Sequence, residues 1–169
     1  MNHIKNRVDW CLKKALKEMQ EKGKHRGLIK TNPDLNLAKA HIAKAEHLLN
    51  GTVYLKKGNF SDISATTLFY SMYHCLLAIL AKFGYESGNQ ECTFALVNNF
   101  IEDEKIEFDK DILNKISLLD IKQHVETTTI EVREEYQYGT SLSMDSRLYD
   151  RLFELAKDVI MMAKRIIEK

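Results

Sequence analysis

Residues that break helices are scarce, with one proline and seven glycines in 169 residues. So few turn formers exclude a many-turned β fold and favour long helices. Cysteine is equally sparse: Cys11, Cys75 and Cys92 are odd in number and none sits in CxxC spacing. That excludes a zinc ribbon or a disulfide framework, and the three read as reduced thiols of a cytoplasmic protein. The opening residues MNHIKNRVDW lack the apolar run of a secretory leader, so none is expected. There is no Gly-rich phosphate loop and no GxSxG elbow. Of the six histidines, His41 and His47 are six apart and fall on different sides of a helix, unlike a zinc pair at four-residue spacing. The carboxylates of 102–111 lack the alternating ligands and turn glycine of an EF-hand loop, and read as a solvated acidic face. Neither a metal nor a cofactor is expected.

What the chain does have is a long apolar segment. Asp62–Phe83 runs 22 residues with only two formal charges, Asp62 and Lys82, and no glycine or proline. Its apolar residues fall on every side of a helical wheel. A helix of that kind is wrapped by others, so the segment reads as the central column of a bundle. Its small polar residues Ser64, Thr66, Thr67, Ser71 and His74 are then buried and need partners. The length would also suit a membrane span, but those polar residues and two tyrosines argue against one. His74 adjoins Cys75, yet neighbours on a helix point about 100° apart. They cannot act as base and nucleophile, and a core histidine bonded to a buried hydroxyl is expected.

Around this column the hydrophobic periodicity places further helices. Residues 4–22 carry Ile4, Val8, Cys11, Leu12, Ala15, Leu16 and Met19 on one face, followed by a basic loop, KGKHRGLIKT. Asn32 as N-cap and Pro33 at the first helical position begin a second helix. Its Leu35, Ala38, Ile42, Ala45, Leu49 and Thr52 form a seam for another helix. Gly58 closes it, and Asn59 or Ser61 caps the central helix, which Gly84 ends. YESGNQE is a connection, and 92–101 is a short helix presenting Phe94, Val97 and Ile101. Ile112, Ile116 and Leu119 mark another helix, weakened near its end by the β-branched 127–130. VREEYQYGTSLSM reads as an ordered loop. The last helix, about 144–168, carries Leu148, Leu152, Leu155, Val159, Met162 and Ile166. The fold class is all-α: an up-and-down bundle of five to six helices around a buried central one.

Charge is unevenly spread although the net is only +1. Residues 1–30 hold nine Lys/Arg against three acids, +6, and residues 86–135 hold five against thirteen, −8. Such asymmetry can steer an anionic partner or a complementary protein surface, or be an incidental property of charged helix faces. Within the second stretch, Arg133, Tyr136 and Tyr138 stand together. An arginine beside aromatic hydroxyls can clamp a phosphate and stack a base. Alternatively, Arg133 pairs with Glu134 and Tyr138 packs at a helix end.

Three blocks of the chain resemble the HEPN (higher eukaryotes and prokaryotes nucleotide-binding) family. AKAHIAKAEHLL (38–49) is similar to its long second-position helix. Residues 61–87, SDISATTLFYSMYHCLLAILAKFGYES, look like its central helix, and REEYQYG (133–139) is similar to its Arg-containing segment before the last helix. The resemblance covers about 34–168, so residues 34–169 are expected to form a HEPN-like bundle and 1–33 an N-terminal extension. It implies a homodimer and, in many relatives, a minimal nucleotidyltransferase partner in a toxin–antitoxin pair. Active relatives are metal-independent ribonucleases with Arg, four to six residues, then His. Here Arg133 matches the arginine, but Tyr138 fills the histidine position and His124 precedes Arg133. Phenols, which titrate near 10, are poor bases at neutral pH. The resemblance thus implies a nucleotide- or RNA-associated binding module with a degenerate nuclease motif, off the membrane. Arg133, Tyr136 and Tyr138 are its expected ligand-binding residues, and Arg133 and Tyr138 its degenerate catalytic candidates. The alternatives are an active ribonuclease toxin of the same fold and a helical protein-interaction module.

Overall fold

A computed structural model describes residues 3–117 and 128–169. It has seven helices among those residues: α1 (His3–Lys22), α2 (Leu35–Lys57), α3 (Ser64–Lys82), α4 (Gln90–Glu102), α5 (Lys110–Ile116), α6 (Thr129–Tyr138) and α7 (Ser146–Glu168). The all-α expectation is met, with α3 as the central column. Leu68, Phe69, Met72, Leu76, Ile79 and Leu80 are essentially inaccessible, and α3 packs on α2, α4, α6 and α7. It is the one helix among the described residues long and apolar enough to cross a membrane, but most of that apolar window is buried inside the bundle.

The α2 seam is also where the spacing puts it. Ala38, Ile42, Ala45, Leu49 and Thr52 are buried, while Leu35 is exposed. Two polar links weld α2 to α3: the Ser71 hydroxyl donates to the Ala45 carbonyl at 2.7 Å, and the Thr52 and Thr67 hydroxyls lie 3.0 Å apart. On α7 the stripe broadens to Tyr149, Leu152, Ala156, Val159, Ile160, Ala163, Ile166 and Ile167. Leu148, Leu155 and Met162, on the expected seam, pack at its margin.

Several boundaries differ from the sequence reading. The cap of α2 is Asp34, whose carboxylate accepts from the Leu37 amide at 2.8 Å, two residues after Asn32. Neither Asn59 nor Ser61 caps α3. Its N-cap is Ile63, with no side-chain bond, reached through consecutive turns from Phe60, and the Ser61 hydroxyl instead accepts from the Met144 amide at 2.9 Å. The basic loop and the YESGNQE connection meet as a small antiparallel pair, β1 (Leu28–Lys30) with β2 (Tyr85–Ser87). Gly84 sets up that pair at φ +75°, so close to the chain that a Cβ would lie 2.7 Å from the Thr31 carbonyl oxygen. Leu119, His124 and residue 127 lie outside the described residues, and α5 is capped at Ser117.

The cysteines also differ. Cys11 on α1 and Cys92 on α4 form a disulfide across 81 residues of chain, and only Cys75 is free and buried. Both bonded cysteines are inaccessible because α1 lays Val8, Cys11 and Ala15 inward and packs against α4. Residues so far apart carry no local spacing signal, and the helix packing alone brings them together.

Candidate functional site

Residues 132–138, the first half of the stretch expected to be an ordered loop, instead belong to the helix Thr129–Tyr138. Thr128 accepts from the Glu131 amide and the Glu131 carboxylate accepts from the Thr128 amide, a reciprocal capping box. The T-x-x-E signal is present in the sequence but is obscured by the β-branched run around it. The Thr129 hydroxyl donates to the Lys115 carbonyl at 3.1 Å and fixes α6 against α5. As a consequence Arg133 points into the bundle and is only 8% exposed.

The guanidinium carbon of Arg133 lies 4.7 Å from the centroid of the Phe69 ring. Phe69 stacks on Tyr73 at 5.9 Å and meets Tyr70 edge-on at 5.3 Å. Tyr73 continues the column to Phe94 and shares a 3.0 Å hydrogen bond with the Thr93 hydroxyl. Burial pushes the Tyr73 phenol up, opposed by that hydrogen bond. Arg133 thus rests its charge on an aromatic face, a cation–π contact strengthened by desolvation. Among the described residues its one carboxylate partner is Glu134, a largely exposed side chain that accepts from Nη2 at 3.2 Å. The buried Nε has no hydrogen-bond partner among the described residues. A buried donor left unpaired is costly, and a group that accepts from it gains what was forgone.

The other two candidates are placed differently. Tyr136 packs partly buried against the core, about 60° around α6 from Arg133. Tyr138 ends the helix at 77% exposure, about 140° away on the opposite side. Within one chain α6 therefore joins Arg133 with Tyr136 and turns Tyr138 outward. The pairing of Arg133 with Glu134 is present, as one of the two sequence readings had it.

His74 has a different neighbour from the hydroxyl expected. Its Nδ1 lies 2.9 Å from Nδ1 of His41 on α2, with the ring centroids 5.2 Å apart. One ring donates and the other accepts, so the bond exists only while at least one Nδ1 is unprotonated. Burial lowers the pKa of both rings, and for His74 the neighbouring His41 and Lys44 add to it. A base with a depressed folded pKa favours the neutral form, so the unfolded chain takes up protons first as pH falls. Stability from this pair is complete above about pH 6.5 and is lost as pH drops below it, toward the depressed folded values. The expected result is a lower Tm near pH 5.5 than near pH 7.5 in the native chain, with a smaller drop in His74→Asn. An equal drop in both proteins would assign the acid sensitivity elsewhere.

No cluster of three or more metal-ligating side chains occurs among the described residues. The acidic stretch is occupied locally: Asp109 caps α5, Glu102 pairs with Lys110 and Asp103 accepts from the Asn99 side-chain amide. Compared with protein-family models and with curated proteins, the sequence matches none of them.

Proposed function

We propose that the chain is a HEPN-type helical binding module for a nucleotide or RNA phosphate, with a degenerate nuclease motif. It would act as a homodimer beside a minimal nucleotidyltransferase, in the manner of a toxin–antitoxin pair. The observation that carries this reading is the buried Arg133 guanidinium, which among the described residues has an unpartnered Nε and a single, solvent-facing carboxylate partner. A phosphate oxygen at the Nη2 edge competes with an exposed ion pair worth little in water, and it meets the buried Nε only when the side chain turns outward. The Phe69–Tyr73 column below fixes the fork, and Tyr136, on the adjoining face of α6, offers a ring for a base.

Binding does not bring cleavage with it. RNA hydrolysis without a metal needs a group that exchanges protons near neutral pH, and Tyr138 brings a phenol to the position where active relatives carry histidine. Its exposed place at the end of α6 suits contact with a second copy rather than with its own Arg133. The proposed setting is the cytoplasm, where a reducing pool acts on the Cys11–Cys92 bond.

The test is a nucleotide titration alongside a ribonuclease assay in chelator. Native protein is expected to bind ATP or short RNA at low salt and to cleave RNA at background rate. Tyr138→His, which restores the family's Arg-to-His spacing at an exposed position, should raise the rate. Robust native cleavage that disappears in Tyr138→His would overturn the reading in favour of an active ribonuclease using the phenol.

A further inference from the structure

The exposed side of α1 belongs neither to the core nor to the Arg133 site. Val8, Cys11 and Ala15 face α4, and the Cys11–Cys92 bond locks that orientation. The opposite side is therefore fixed toward solvent. It carries Trp10, Lys13, Lys14 and Lys17, spaced i, i+3, i+4 and i+7 and hence on one face. Trp10 is the chain's sole tryptophan and is 53% exposed. The Lys14 ammonium sits 4.9 Å from its ring centroid. Lys13 and Lys14 have no carboxylate partner among the described residues, and Lys17 meets Glu21 only at 3.8 Å, between two exposed side chains. The stripe lies within the segment whose net charge is +6 in a chain whose total is +1.

We infer that this face is a docking surface for single-stranded nucleic acid, with the lysines on successive phosphates and a base stacked on Trp10. Cationic side chains along a backbone and an exposed aromatic ring among them are the two elements of sequence-tolerant single-strand binding. Here a stacking ring and a phosphate-pairing ammonium are already adjacent. An anionic membrane is the competing partner for a basic helix, but the geometry disfavours it. A helix lying in a bilayer surface needs its tryptophan and its aliphatic residues on one side. The exposed apolar residues of α1, Leu16 and Met19, lie about 120° and 180° around the helix from Trp10. The inference goes beyond the Arg133 reading, because it places a single strand on the outer face of α1 and involves none of the α6 residues.

Trp10 reports on its own site. Excited selectively, its emission in the native protein is expected to be quenched saturably by a short oligoadenylate at low salt. Each single reversal, Lys13→Glu, Lys14→Glu or Lys17→Glu, should reduce the log–log salt slope of binding by about 0.7, the value of one lost single-strand contact. Lys57→Glu, an equal charge change on the exposed end of α2, should leave that slope unchanged. With labelled oligoadenylate, Trp10→Ala should bind roughly tenfold more weakly, as expected for a lost stacked base. The inference fails if oligoadenylate leaves the emission unchanged at low salt, or if the lysine reversals leave the slope unchanged. It fails equally if phosphatidylserine vesicles shift the emission and oligoadenylate does not. ATP binding, measured separately on the same native protein, reports on the Arg133 reading, so either can fail without the other.

Discussion

Reducing the disulfide between Cys11 and Cys92 is expected to lower the stability of the chain by about 4–5 kcal/mol at 25 °C. The bond closes a loop across 81 residues, and in the chain-entropy treatment a loop of that length restricts the unfolded ensemble by about that amount. For a domain whose total stability is about 5–15 kcal/mol, this is a large share. The loss should begin in α1, because its inward face is small. Among the described residues Val8, Cys11 and Ala15 are its buried positions, while Leu16 and Met19 stay exposed. Without the covalent tie, α1 is held by its packing on α4 and on Leu28–Lys30, the strand that pairs with Tyr85–Ser87. Urea denaturation with and without reductant, repeated on Cys11→Ala/Cys92→Ala, measures the effect. Coincident midpoints in all cases would mean that the two sulfurs contribute nothing as a covalent link.

The second large effect is expected at Phe69. It is fully buried at the meeting of α3 and α6, stacked on Tyr73 and covered by the Arg133 guanidinium. Phe69→Ala should cost about 3–5 kcal/mol through lost transfer energy and the cavity left behind. It also removes the aromatic face under a buried charge. Phe69 and Arg133 should therefore be coupled: in a double-mutant cycle with Arg133→Met, the coupling energy is expected in the range of about 0.5–3 kcal/mol typical of residues in contact. Urea denaturation of the four proteins provides the measurement. Strict additivity would show that the ring does not hold the guanidinium.

The fold was readable because its dominant signals are long and periodic. The all-round apolar character of Asp62–Phe83 and the three-four spacing of Ala38, Ile42, Ala45, Leu49 and Thr52 each admit one packing solution, and α2 and α3 adopt it. What the sequence hid were contacts between distant residues. Cys11 and Cys92 pair only because α1 docks on α4, and His41 meets His74 only because α2 and α3 align in one register. The two-stranded pairing of Leu28–Lys30 with Tyr85–Ser87 is too short for a two-residue period to emerge. At the candidate site, Arg133 was visible as an arginine among tyrosines, but its burial was not. As a loop, 132–144 would leave Tyr138 beside it, whereas the capping box of Thr128 and Glu131 winds a helix that carries Tyr138 to the far side. The orphaned Nε depends on which neighbours surround it, which no local pattern encodes.

The most direct measurement of the central claim is the nitrogen-15 resonance of Arg133 Nε, assigned by its disappearance in Arg133→Lys. Titrated with ATP at low salt, where phosphate contacts are strongest, that resonance is expected to move and saturate with the binding curve, as its N–H gains an anionic acceptor. If ATP binds while the Arg133 Nε resonance stays in place, or if no nucleotide or RNA binds at all, Arg133 is a structural arginine resting on Phe69 and the account is wrong.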